Sequence, residues 1–190
     1  MDYAELIRKM KHDGIGLMRY DQYVRIAYYL NKLSPCNFLV FGLGEDSPIW
    51  KKINQGGRTV FLEDDKEWIK KFDEKNLEIH EVIYDTKAKD HESIGFDAEK
   101  LQMSHPKQIT ETSWDIILVD GPLGHNPPRP YKGPGRMKSI YQAHKLLRNG
   151  GICVVDDMLR EIEQKYAYHY FGMESRLEII DSKVAIFKKP

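Results

Sequence analysis

Apolar residues change their spacing several times along the chain, and each change predicts an element. From Asp21 to Leu33 they fall at Tyr23, Ile26, Ala27, Leu30 and Leu33, the spacing of one helix face. Ser34-Pro35 ends that stretch, because a residue before proline is pushed out of the helical region. Phe38-Leu39-Val40-Phe41 then runs apolar without a break and stops at Gly42 and Gly44. A short aromatic and β-branched run of this kind predicts a buried strand. Asp46-Ser47-Pro48 reads as a helix start, with an acid that can cap and proline in the first turn, and Gly56-Gly57 closes that helix.

The alternation continues. Thr59–Leu62, His80–Tyr84, Trp114–Val119 and Ile152–Val155 predict further strands. Asp65–Lys71, a face marked by Met137, Ile140, Tyr141, His144 and Leu147, and Leu159–Phe171 predict helices, with Gly150-Gly151 ending the second of them. Strands alternating with helices imply right-handed crossovers and a parallel sheet covered on both faces. The last two apolar runs, Leu177–Ile180 and Val184–Phe187, are separated only by Asp181-Ser182-Lys183. A parallel crossover needs a dozen or more residues, so these two must form an antiparallel hairpin. The expected fold class is α/β and Rossmann-like: about seven strands, the last antiparallel, with helices on both faces. That is the outline of an S-adenosylmethionine (SAM) dependent methyltransferase, whereas a dinucleotide dehydrogenase domain normally keeps its strands parallel. Two parts are expected. Residues 1–33 form an N-terminal helical segment, whose Gly14–Tyr20 stretch has glycine hinges and could close as a lid. Residues 34–190 form the methyltransferase domain.

Composition removes several alternatives. The chain has 190 residues, 29 Lys+Arg against 29 Asp+Glu, and hence no net charge. Long-range attraction to nucleic acid or an anionic membrane is therefore not the expected main function. The apolar runs are too short to span a bilayer, and Met1–Glu5 lacks the pattern of a signal peptide. Cys36 and Cys153 are the two cysteines and form no CxxC, so a reducing cytoplasm is the simplest setting. Composition does not bear on the oligomeric state.

The candidate chemistry lies at the strand ends, where doubly wound sheets bind ligands. Gly42-Leu43-Gly44 follows the first strand, and Glu63 and Asp64 end the second, where an acid can take ribose hydroxyls. A dinucleotide fingerprint needs a third glycine and sets pyrophosphate on the helix start. Here that start carries Glu45 and Asp46, which repel phosphate and suit the cationic SAM. Tyr84-Asp85-Thr86 would wall the adenine. Gly42, Gly44, Glu63, Asp64, Asp85 and Asp120 are thus the expected cofactor residues. Asp120, Asp156 and Asp157 follow the fourth and fifth strands. Together they could hold a divalent cation (Mg, Mn or Co) that lowers the pKa of a substrate hydroxyl. Alternatively one of them is a general base while the others hold SAM or orient basic residues, and one could simply cap the next helix. Asp120, Asp157 and His125 are the candidate catalytic groups. Arg129, Lys132 and Arg136, in and after a Pro/Gly-rich loop, are candidates for gripping an anionic substrate.

Ser34-Pro35-Cys36-Asn37-Phe38 through Gly42-Leu43-Gly44-Glu45-Asp46-Ser47, and Gly56-Gly57-Arg58 through Glu63-Asp64-Asp65-Lys66-Glu67-Trp68, resemble the plant glucuronoxylan 4-O-methyltransferase family, the DUF579-type polysaccharide biosynthesis domain. Trp114-Asp115, Asp120-Gly121-Pro122, Gly135-Arg136-Met137, Ile140-Tyr141 and Val155-Asp156-Asp157 extend the likeness to most of the chain from Ser34 onward. The resemblance implies SAM-dependent methylation of the 4-hydroxyl of glucuronic acid or a related uronic acid saccharide, with a divalent metal as a second cofactor. This chain departs from the family in carrying Glu45 and Asp156 where the family has histidine, and in a longer, more basic loop after Asp120. The plant members have a membrane anchor that does not appear here, so the expectation is a soluble, microbial member. The rival readings are an NAD(P)-binding Rossmann oxidoreductase and a SAM-binding module without catalysis.

Overall fold

A computed structural model describes residues 2–72, 75–124 and 133–190. Seven strands form one sheet: β1 (Asn37–Phe41), β2 (Arg58–Glu63), β3 (Glu78–Glu81), β4 (Trp114–Val119), β5 (Leu147–Val155), β6 (Arg176–Ile180) and β7 (Val184–Lys188). Their order is β3-β2-β1-β4-β5-β7-β6. Strands β1 to β5 pair in parallel, and β7 pairs antiparallel with both β5 and β6. The hairpin is therefore where the short Asp181–Lys183 link requires it.

Alternate residues of β1, β2, β4, β5 and β7 enter two different cores, which explains why these strands read as unbroken apolar runs. Leu39, Phe41, Ile117, Val119, Cys153 and Val155 point to one face. There they meet α8 (Met137–Leu146) and α9 (Glu161–Phe171), with the short α5 (His91–Ile94), α6 (Ala98–Leu101) and α7 (Lys107–Thr110) alongside. Phe38, Val40, Ile116, Leu118 and Val154 point to the other. That face is covered by α1 (Tyr3–His12), α2 (Tyr20–Leu33), α3 (Ser47–Ile53) and α4 (Lys66–Lys71). Ile7, Met10, Tyr23, Ile26 and Leu30 share this second core with the sheet. Residues 2–33 are thus packed into the same body as the rest, with the Gly14–Met18 stretch and Tyr23 at the cleft described below.

Two strand starts and one helix cap depart from the sequence expectation in ways that matter for the site. β3 covers Glu78–Glu81, two residues earlier than His80–Tyr84 at its start. β5 begins at Leu147 and runs through Gly150-Gly151, which the sequence reads as a break. Asp46 occupies the N-cap position of α3 but makes no capping hydrogen bond.

Candidate functional site

Strand order reverses between β1 and β4, and a cleft of about 1200 Å³ opens at that point beyond the strand ends. The loops after β1, β2, β4 and β5 line it, together with Gly14–Met18 and Tyr23 from the N-terminal segment.

The two loop glycines have reasons within the protein. Gly42 has φ +113°, and a Cβ there would sit 3.1–3.3 Å from the backbone of Gly121 and Asp120. Glycine at this position lets the β1 and β4 loops touch. A Cβ on Gly44 would overlap the Asp46 carboxylate. Leu43 N donates to Glu63 Oε2 at 2.8 Å, and the backbone N–H groups of Asp64 and Asp65 donate to Oε1 at 2.9 Å each. Glu63 therefore clamps two loops while lining the cleft. Burial pushes its carboxyl pKa up against the pull of those three donors. Asp64 stands exposed at the same rim. Trp68 closes this corner with its indole N–H on the Leu43 carbonyl, a residue that sequence reasoning did not select. Its only signal was an aromatic one turn beyond the acid pair.

Asp85 is not brought to the cleft. Because β3 ends at Glu81, Tyr84-Asp85-Thr86 lies in the connection that follows it. Asp85 is exposed and pairs with Lys138, while the Tyr84 hydroxyl is 2.9 Å from Ser139 Oγ.

Asp120, Asp156 and Asp157 do converge: one carboxylate oxygen of each lies within 4.8 Å of the others. Such a cluster needs counter-charge. Arg136, the N-cap residue of α8, supplies it. Its guanidinium reaches Asp120 at 3.2 Å, Asp157 at 3.0 Å and Asp156 at 3.9 Å, and donates to the carbonyls of Pro122, Asp120 and Asp156. With a side chain only 6% exposed, Arg136 is an internal counter-ion of the acid cluster at the wall of the cleft. Arg160 holds Asp157 at 2.8 Å and buried Glu163 at 3.4 Å, and Lys183 stands 3.7 Å from Asp157. Burial raises the Asp120 pKa well above its ordinary value; Arg136 opposes the shift, and the Asp156 and Asp46 carboxylates add to it. Neither Asp156 nor Asp157 caps α9, whose N-cap is Arg160. Asp157 instead takes a left-handed backbone, φ +62°, which is uncommon outside glycine.

The same three acids fit a hard cation as donors. Asp156 Oδ1 is buried with no hydrogen-bond partner, an orphan oxygen of the type that a cation or water satisfies. His125, Arg129 and Lys132 lie outside the described residues.

The N-terminal segment completes the cleft. The Tyr23 hydroxyl donates to Asp46 Oδ2 at 2.9 Å, and Lys11 Nζ ties down the glycine stretch through the carbonyls of Gly16 and Met18 at 2.7 and 2.9 Å. No helix among the described residues is long and apolar enough to cross a membrane.

Comparison with solved structures shows the fold. A structure described as a caffeoyl-CoA O-methyltransferase from Staphylococcus aureus superposes with TM-score 0.56 at 15% identity, covering 98% of this chain and 92% of that one. A precorrin-6y C5,15-methyltransferase from Geobacter metallireducens gives TM-score 0.54 at 13% identity, covering 94% and 95%. Sequence relatives are nearer. Glucuronoxylan 4-O-methyltransferase 2 of Arabidopsis thaliana is 40% identical over 162 residues, covering 73% of this chain and 54% of the relative. Glucuronoxylan 4-O-methyltransferase 3 of the same plant is 42% identical over 162 residues, covering 73% and 52%. Arabinogalactan O-methyltransferase 1, also from Arabidopsis thaliana, is 33% identical over 174 residues, covering 78% and 59%. The chain thus spans about half the length of the curated relatives it matches. The IRX15/IRX15L/GXM family model matches residues 22–102 and 94–185, so the chain belongs to that family.

Proposed function

We propose that this protein transfers the methyl group of SAM to a hydroxyl of a uronic acid residue in a saccharide, the 4-hydroxyl of glucuronic acid above all. The observation that carries this reading is the meeting of four acid-bearing strand ends in one cleft, in a chain 40% identical to a glucuronoxylan 4-O-methyltransferase. SAM lies across the ends of β1 and β2, with Glu63 and Asp64 toward its ribose and the acidic loop Gly44–Asp46 toward its positive charge. The acceptor enters beside Asp120 and Asp157. Its oxygen attacks the methyl carbon in line, the carbon–sulfur bond breaks, and the sulfonium leaves as a neutral thioether. Asp120, at the end of β4 and facing the cleft, takes the hydroxyl proton. Most of the acceleration comes from holding the two reactants in line and from fixed charges around them. A divalent cation on Asp120, Asp156 and Asp157 would lower the pKa of the acceptor hydroxyl when bound.

A dinucleotide would place pyrophosphate against the carboxylate of Asp46, buried in the β1 loop, and no observation favours that rival. The test is transfer from labelled SAM to uronate-bearing oligosaccharides. Methylated uronate is expected, with Asp120→Asn reducing turnover at least a hundredfold while S-adenosylhomocysteine still binds in calorimetry. NAD binding without SAM binding, or unchanged turnover in Asp120→Asn, overturns the reading. A melting point raised by manganese but not by potassium, and lowered again by chelator, supports the cation; no response removes it.

A further inference from the structure

With Arg136 committed to the acid cluster, the acceptor's carboxylate needs another cation. Among the described residues, the cations bordering the cleft are Arg136, Arg160 and Lys183. Arg136 holds three carboxylates, and Arg160 is divided between Asp157 and Glu163 with its side chain 11% exposed. Lys183 is the most open of the three, at 31%. Its pairing with Asp157 spans 3.7 Å, beyond hydrogen-bond length, and Asp157 already has two arginines on it.

Lys183 is also held in place by the hairpin turn it closes. It follows Asp181 and Ser182, which have φ +52° and +55° in the turn between β6 and β7. Two left-handed residues in succession are what a type I′ hairpin turn requires, and Lys183 N closes this one on the Ile180 carbonyl at 3.0 Å. Here Met158 N donates to the Lys183 carbonyl at 2.7 Å, and Arg19 pairs with Asp181 at 2.9 Å. Met158 follows Asp157, itself left-handed. The hairpin turn and the Met158 N–H thus fix Lys183 beside Asp157 at one corner of the cleft.

We propose that Lys183 is the specificity-determining cation, its ammonium receiving the acceptor's carboxylate; the inference rests on the uronate reading above. The chemistry fits the position. In a uronic acid the carboxyl is borne on the ring carbon next to the one carrying the 4-hydroxyl. A cation that recognises it must therefore stand close to the groups that handle that hydroxyl, and Lys183 adjoins Asp157. An ammonium is a compact point charge on a flexible stem, suited to a carboxylate that arrives with different sugar backbones.

The test compares wild type, Lys183→Gln and Lys183→Arg on one uronate-bearing oligosaccharide and on its methyl ester. Wild type is expected to prefer the acid. Lys183→Gln raises KM for the acid about tenfold or more, the gain of one charge-assisted hydrogen bond, and changes KM for the ester less than twofold. Lys183→Arg restores most of the preference, and S-adenosylhomocysteine binds all three proteins equally, which also reports that they are folded. If Lys183→Gln keeps the wild-type preference, or loses acid and ester alike, the inference is overturned while the uronate reading stands. If wild type methylates the ester as readily as the acid, the inference falls while the uronate reading stands; if neither is methylated, the uronate reading falls and the inference with it.

Discussion

The Tyr23 hydroxyl donates to Asp46 Oδ2 across 2.9 Å, tying α2 to the loop that follows β1. Both residues are buried, and among the described residues no ion pair reaches Asp46. The helix-start acid thus gives up capping and turns toward the cleft, held by a phenol from the N-terminal segment. Removing that phenol leaves a buried carboxylate short of a donor. Tyr23→Phe is expected to lower unfolding free energy by about 1–3 kcal/mol, read from the denaturation midpoint, and to weaken SAM binding severalfold in calorimetry. A variant of unchanged stability and affinity would mean that the tie is incidental.

The two glycines of the β1 loop should fail differently. Gly42→Ala forces a side chain into φ +113° against the backbone of Gly121 and Asp120, so the loss falls on the fold, about 1–3 kcal/mol of strain. Gly44→Ala meets only the Asp46 carboxylate. It should leave the melting point nearer wild type while displacing Asp46 and weakening SAM binding. Equal effects on stability from both would contradict this division.

What the sequence disclosed, and what it hid, follows from neighbours. β1, β2 and β4 are central and buried on both faces, so each is an apolar run ended by glycine or acid. β3, Glu78–Glu81, is an edge strand with three half-buried residues and an exposed Glu81, a pattern too weak to fix its ends. Displacing it carried Asp85 away from the expected site. Within the expected helical segment 1–33 the bounds of α1 went unread, because charged residues surround its few buried positions, Ile7 and Met10. At the site, the acids were legible because they follow strands directly. The role of Arg136 was not, since its partners at positions 120, 156 and 157 meet it only after β4 and β5 pair. Lys183 looked like an ordinary turn residue, and nothing in the chain's order placed it near Asp157.

Arg136 is expected to be a pillar of the fold as well as of the site. Arg136→Met leaves Asp120, Asp156 and Asp157 facing one another with their central cation gone, and breaking a buried pair of this sort costs about 3–5 kcal/mol. Arg136→Lys keeps a charge but cannot reach three carboxylates and three carbonyls at once, and should fall between Met and wild type. Denaturant midpoints at fixed pH order the three proteins. A stable Arg136→Met chain would show that the acids are neutralised by other means.

The acids of the loop offer a pH signature of the bound cofactor. Burial raises the carboxyl pKa of Asp46 above its ordinary value. For an acid shifted in that direction, the folded state favours the proton. The stability this contributes is complete below the unfolded pKa and is lost as pH rises through the folded one. Within that window the free protein should therefore become less stable as pH increases, because the carboxylate must carry its charge in a buried place. A bound sulfonium relieves this cost, and a neutral thioether does not. SAM should then raise the melting point by more at the upper end of the window than at the lower end, while S-adenosylhomocysteine shows a flatter trend. A difference of 1 kcal/mol moves the melting point of a chain this size by about 2–4 °C, enough to read by calorimetry. Asp46→Asn should flatten the SAM trend toward that of S-adenosylhomocysteine. Parallel trends for the two ligands in the wild-type protein would mean that Asp46 does not sense the donor's charge.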